Sequence, residues 1–187
     1  MEASASTAHA EASADSGPAS QAEPEPEQPP SPSQPPTLDL LDTEGRLTKE
    51  VRQWLCACAQ RALAELRDAG EVRVRLVGDD EMSRLHDQFM NDPTTTDVLT
   101  FDHAEDPAAP LDVDIVVCVD EAARQADAHG HALQRELLLY IVHGVLHCSG
   151  FDDVTEAQSK AMHVREDEIL RAIGVGAVYE RETGGAS

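Results

Sequence analysis

The period of the hydrophobic positions changes several times along the chain, and each change marks an element. Leu38 and Leu40 alternate with Thr37 and Asp39, which predicts a short edge strand ending at a turn over residues 42–45. Thr48 is an N-cap residue type, and Val51, Trp54, Leu55, Cys58, Ala62 and Leu66 then recur at helical spacing. They predict an amphipathic helix ending near Gly70. Val72, Val74 and Leu76 alternate with Arg73 and Arg75 as a strand. Residues 80–90, carrying Met82, Leu85 and Phe89, read as a second helix, and 91–96 as a polar turn. Val98, Leu99 and Phe101 make a short strand, and residues 111–119 alternate most clearly of all. A helix over 120–129 ends at Gly130, and a strongly apolar one over 132–147 is broken at Gly150, where a left-handed residue relieves the turn. A last helix runs from about Thr155 to Ile173, with Met162 and Leu170 as core. Mixed strands and helices with no internal repeat predict a single α+β domain: a small mixed sheet, about five helices, and one apolar helix at the centre.

Composition adds a boundary. Residues 1–36 contain no Val, Leu, Ile or aromatic residue and cannot bury enough apolar surface to offset their ordering entropy. They are expected to form a disordered Ala/Ser/Pro/Glu-rich tail, followed by a domain over 37–180 and a flexible C-terminus over 181–187. The tail has no Lys, Arg or apolar run, so it does not read as a targeting segment. No later run reaches the ~20 apolar residues that span a bilayer, so a cytoplasmic protein without membrane contact is expected.

The net charge is −22. Residues 37–187 hold 30 of the acids against all 14 bases and stay near −16. That excludes a broad electrostatic grip on duplex nucleic acid or an anionic membrane, though not a local cationic cleft. Cys56, Cys58, Cys118 and Cys148 form no CxxC pair and read as small buried hydrophobes, with Cys148 directed off the face of its neighbour His147.

The candidate chemistry sits in the segment HGVLHCSGFDD. His143 and His147 are one helical turn apart on one face, the spacing with which helices present two imidazoles to one ion. The turn at Gly150 can fold Asp152 or Asp153 back over that face. Two imidazoles and a carboxylate suit zinc, and can also hold iron or manganese. Two polar rings in so apolar a helix need partners. Gly144 leaves room for a close backbone approach, and it stands where metalloprotease helices carry their catalytic Glu.

The same segment resembles the signature of the YbeY family of bacterial rRNA-maturation endoribonucleases, H-G-x-L-H-x-x-G-Y/F-D-H. The resemblance extends to Thr95-Thr96-Asp97-Val98-Leu99-Thr100-Phe101 (family P-T-D-V-L-S-F), to Val113-Asp114-Ile115, to Gln125-Ala126 with His129-Gly130, and to Arg135-Glu136-Leu137. Order and spacing agree over roughly residues 38–175. The resemblance implies one zinc per chain, held by His143, His147 and Asp153, with the fourth position open to water. It implies a metal-dependent cut in single-stranded RNA, a role in maturing the 3′ end of 16S rRNA and in ribosome quality control, and contact with the small ribosomal subunit and its processing factors. His143, His147 and Asp97 are the catalytic candidates. Asp97 is expected either to cap its turn or to line the cleft, and Asp152 to shape the turn or orient an imidazole.

Two positions depart from the pattern. The family's third ligand is His where this chain has Asp153, and its arginine in N-x-x-Y-R-G-K-D falls on Met90, which cannot pair with a phosphate. These departures favour a second reading, a ribosome-assembly module with a structural zinc and little nuclease activity. Arg73, Arg75, Arg84 and Arg135 read as phosphate contacts or as ordinary surface charge, and His86 and His129 as helix-end or functional residues.

Overall fold

A computed structural model describes residues 35–66, 69–104, 106 and 109–179. The expected tail lies outside these residues up to position 34, as does the expected C-terminus at 181–187. The elements are β1 (Thr37–Leu41), α1 (Lys49–Ala64), β2 (Ala69–Val77), α2 (Asp79–Met90), β3 (Val98–Asp102), β4 (Leu111–Cys118), α3 (Val119–His129), α4 (Leu133–Cys148) and α5 (Glu156–Ala172). The α+β expectation holds, with five helices and one small mixed sheet.

The sheet runs in the order β1-β2-β4-β3. β1, β2 and β4 are parallel, and β3 is antiparallel to β4. Strand alternation sends Val72, Val74 and Leu76 of β2 and Val113, Ile115 and Val117 of β4 to one face, where all are buried. α1, α4 and α5 close that face with Leu55, Leu63, Leu138, Ile141, Met162 and Leu170. The opposite face carries a smaller cluster, in which Met82 and Leu85 of α2 meet Leu99, Val116 and Cys118.

Caps set the helix ends. Thr48 Oγ1 accepts from Val51 N at 3.3 Å. Thr155 and Gln158 form a reciprocal capping box at the start of α5. β4 passes directly into α3, whose N-cap is Cys118, so the strand ends one residue earlier than its hydrophobic run. Gly70 belongs to β2 rather than to the end of α1, a correction with a steric reason. A Cβ there would lie 2.5 Å from the carbonyl oxygen of Leu111, so glycine serves strand contact at a register shift and not a helix stop.

α4 is the central helix, buried over most of its length. Gly144 brings it against the sheet: a Cβ there would lie 2.8 Å from Thr100 Cγ2 and 3.3 Å from both Ile115 Cδ1 and Cγ2. A glutamate after the first histidine is therefore excluded by packing. Overpacking costs about 1–3 kcal/mol, against the roughly 1 kcal/mol of helix propensity that Gly→Ala gains. Gly144→Ala is expected to give a net loss of about 1 kcal/mol in urea unfolding. Adding Thr100→Ser, which removes the clashing methyl, is expected to recover part of it. Equal stability of Gly144→Ala and wild type would show that the contact does not constrain α4.

Candidate metal centre

His143 and His147 lie one turn apart on α4, beside the strip on which Gly144 meets the sheet. Their Nε2 atoms face each other at 2.9 Å, with the rings nearly perpendicular at 89°. The chain after α4 supplies the third donor. Gly150 is left-handed at φ +87°, and Phe151 N donates to Leu146 O at 3.0 Å, so the backbone turns sharply back. Phe151 packs on the core and anchors the return. Asp152 holds the turn, with Oδ1 accepting from Asp153 N at 2.9 Å and Oδ2 from Gln158 Nε2 at 3.5 Å. Asp153 is left over the imidazoles, with Oδ2 3.8 Å from His143 Nε2 and Oδ1 3.9 Å from His147 Nε2. His143, His147 and Asp153 thus converge, with donor atoms all within 4.8 Å of one another.

The donor set fits a tetrahedral cation. Ligand bonds of ~2.0–2.2 Å imply donor–donor edges of about 3.3–3.6 Å, and the three separations straddle that range. The tautomer fits as well. His143 Nδ1 is 2.7 Å from Glu166 Oε1, and Glu166 is completely buried on α5. A proton held between Nδ1 and the carboxylate leaves the Nε2 lone pair aimed at the cluster. Burial pushes the His143 pKa down, but the Glu166 hydrogen bond and charge, with Asp97 and Asp153, outweigh it, and the net shift is upward.

Glu166 was not anticipated from the sequence, yet a signal exists. It stands four residues after Met162 and four before Leu170, on the apolar stripe of α5. An acid on a core stripe needs a buried partner.

The cluster opens on a cleft of about 430 Å³, lined among others by Thr95, Thr96, Asp97, Glu121, Glu136, Tyr140, His163 and Tyr179. Asp97 takes both expected parts, lining the cleft while its Oδ1 accepts from Thr96 Oγ1 at 3.1 Å and from Val98 N at 2.9 Å. His163 and Tyr179 stack at 3.8 Å between ring centroids and 12° between planes, a pair the sequence reading missed. Tyr179 reaches the cleft because Asp167 Oδ1 accepts from Val178 N and Tyr179 N at 2.6 and 3.2 Å, holding the segment after α5 in place.

Several sequence candidates fall elsewhere. Arg73 pairs with Glu71, Asp112 and Asp114, and Arg75 with Glu81, so the strand arginines form a neutralised sheet surface and not a cationic patch. Arg84 also pairs with Glu81. Arg135 binds the carbonyls of Gly176 and Ala177 and clamps the C-terminal segment. His86 Nδ1 bonds Thr94 O at 2.8 Å and braces the loop before β3. Cys148 stays off the cluster, and burial with Asp102 nearby pushes its thiol up to about 11. Met90 is exposed at the end of α2, outside the cleft lining, which among the described residues contains no Lys or Arg.

Fold and site together define a class: a small α+β protein whose core helix ends in a three-donor centre at an open cleft. The family model described as endoribonuclease YbeY matches residues 39–174, and the chain belongs to that family. Among relatives named endoribonuclease YbeY, that of Bacillus licheniformis is 33% identical over 150 residues, covering 74% of this chain and 95% of the relative. That of Methylibium petroleiphilum is 36% identical over 116 residues, 62% of this chain and 76% of the relative. The solution structure of TM1509 from Thermotoga maritima shares the fold, with TM-score 0.51 and 21% identity over 81% of this chain and 97% of that one. No helix among the described residues is long and apolar enough to cross a membrane.

Loss of a residue that orients a ligand typically costs 10–100-fold in metal affinity. Glu166→Gln is expected to weaken zinc binding by about that factor, and Asp153→Ala by at least as much, in competition with a chromophoric chelator. Unchanged affinity in both variants would detach the cluster from metal binding.

Proposed function

We propose that this chain is a zinc-dependent endoribonuclease that cuts single-stranded rRNA in the cytoplasm, acting in 16S rRNA 3′-end maturation and ribosome quality control at the small subunit. The observation that carries the reading is the open side of the centre. Structural zinc sites are closed by four protein ligands, whereas catalytic sites keep three and leave a position free. Here His143, His147 and Asp153 are the three donors, and a cleft of about 430 Å³ adjoins them.

A bound zinc supplies Lewis acidity toward a phosphate oxygen. The protein's own groups supply the rest. Glu166 fixes the His143 ring, and the Gly150 turn holds Asp153 over it. Asp97, also on the cleft wall, is the carboxylate available to accept a proton. The His163–Tyr179 pair offers an aromatic surface for an unpaired base, which supports a single-stranded substrate over a duplex. The family membership supports an endoribonuclease activity in the same terms.

The second reading, a ribosome-assembly module with structural zinc, is favoured by a cleft lining that among the described residues has no Lys or Arg. A labelled single-stranded RNA carrying the 3′ end of 16S rRNA with its downstream flank separates the two. The nuclease reading expects zinc-dependent cleavage that falls at least ~100-fold in His147→Ala, the order of a lost transition-state stabiliser. The assembly reading expects no cleavage by zinc-loaded wild type, with co-sedimentation on the small subunit intact.

A further inference from the structure

A second group of metal-ligand side chains lies along the same cleft. The end of α3 and the start of α4 bring together His129, His131 and Glu136, whose donor atoms all lie within 4.8 Å of one another. The local sequence explains how. Gly130 is left-handed at φ +68° and reverses the chain between the two histidines, whose rings stack at 5.9 Å with 11° between planes. Glu136 sits one turn into α4, next to Tyr140 on the same face.

The second observation is a deficit. The His131 side chain is 9% exposed and that of Glu136 is 5% exposed. Both His131 ring nitrogens and Glu136 Oε2 are buried without a hydrogen-bond partner among the described residues. His131 Nε2 and Glu136 Oε2 approach to 3.0 Å, but their alignment is not that of a hydrogen bond. A buried imidazole nitrogen or carboxylate oxygen left without a hydrogen bond is destabilising. Two donors that converge without bonding each other are arranged for a third body between them. A cavity of about 230 Å³ adjoins the group, so the space exists.

We propose that His129, His131 and Glu136 form a second divalent-cation site, of a zinc-like metal that takes imidazole and carboxylate ligands. Glu136 and His143 are seven residues apart on α4, about 10.5 Å along its axis. The two cations therefore share no ligand, unlike two-metal centres with a separation of ~3.5–4 Å. On the nuclease reading, on which only this step rests, the second cation meets a neighbouring phosphate of the bound strand in a cleft whose described lining has no Lys or Arg.

The test is metal content. Full-length protein is loaded with excess zinc, desalted and measured by plasma mass spectrometry. Wild type is expected to retain about two zinc ions per chain, and His129→Ala and His131→Asn about one each. His147→Ala is expected to keep the second ion, and the double variant His129→Ala/His147→Ala to keep almost none. His129 is exposed, so its variant carries the test even where His131→Asn fails to fold. A wild-type content of one that His129→Ala leaves unchanged overturns the second site, as does a content of two that neither variant lowers. Failure of the first centre is distinct: His147→Ala would then leave the count unaltered while His129→Ala lowered it.

Discussion

The hydrogen bond between Glu166 and His143 is the interaction on which the centre depends. A carboxylate with no exposed surface is costly unless it is bonded, and here its partner is one imidazole of the cluster at 2.7 Å. The relation runs both ways. Without Glu166 the His143 ring loses the contact that fixes its tautomer, and without His143 a buried charge has no match. Because the bond joins α4 to α5, the ligand geometry is tied to the packing of the core and does not rest on a loop. Asp153, 44% exposed, depends instead on the Gly150 turn and is the more weakly held member.

α4 has to be the centre of the hydrophobic core and also carry polar rings, and it does so by dividing its faces. Gly144 removes a side chain where the helix meets Thr100 and Ile115. The polar positions Glu136, Tyr140, His143 and His147 fall at helical spacing along the cleft side. His143 is bonded to the buried carboxylate of Glu166, and Tyr140 stands one turn from the buried Glu136. The stripe is thus a continuous line of polar groups along one edge of an apolar body, and both candidate cation clusters lie on it.

Periodicity revealed the elements of this fold because most strands have one buried face and because α1, α3 and α5 carry side-chain N-caps. Thr48, Gly130 and Thr155 act where their residue types suggest. Gly70 misled because a glycine beside a helix reads as its end, while its actual constraint is the carbonyl of Leu111, which is distant in sequence. Strand order was not legible for the same reason: β2 pairs with β4 across an intervening helix and strand. At the site, the i, i+4 histidines and the carboxylate after the glycine turn were readable because they are local. Glu166 was readable only as an acid on a core stripe. His163 and Tyr179 were not readable, since their meeting depends on Asp167 capturing the backbone beyond α5.

Charge gives the cleft its character. The chain carries −22, the strand arginines are paired with acids, and Arg124 of α3 pairs with Glu121 and holds the Asp79 carboxyl down to about 2. The carboxylates of Asp97, Glu121, Glu136 and Asp153 line the cavity with His129, His143 and His163, and among the described residues no Lys or Arg joins them. Such a surface repels a polyanion at every distance shorter than the Debye length, ~8 Å at physiological salt. Cations held by imidazole and carboxylate would reverse that field locally. An anionic substrate would then bind by coordination at fixed points and not by diffuse attraction. Metal loading would govern entry to the cleft as well as the chemistry inside it, and the position equivalent to Met90 would need no arginine for the substrate to be held.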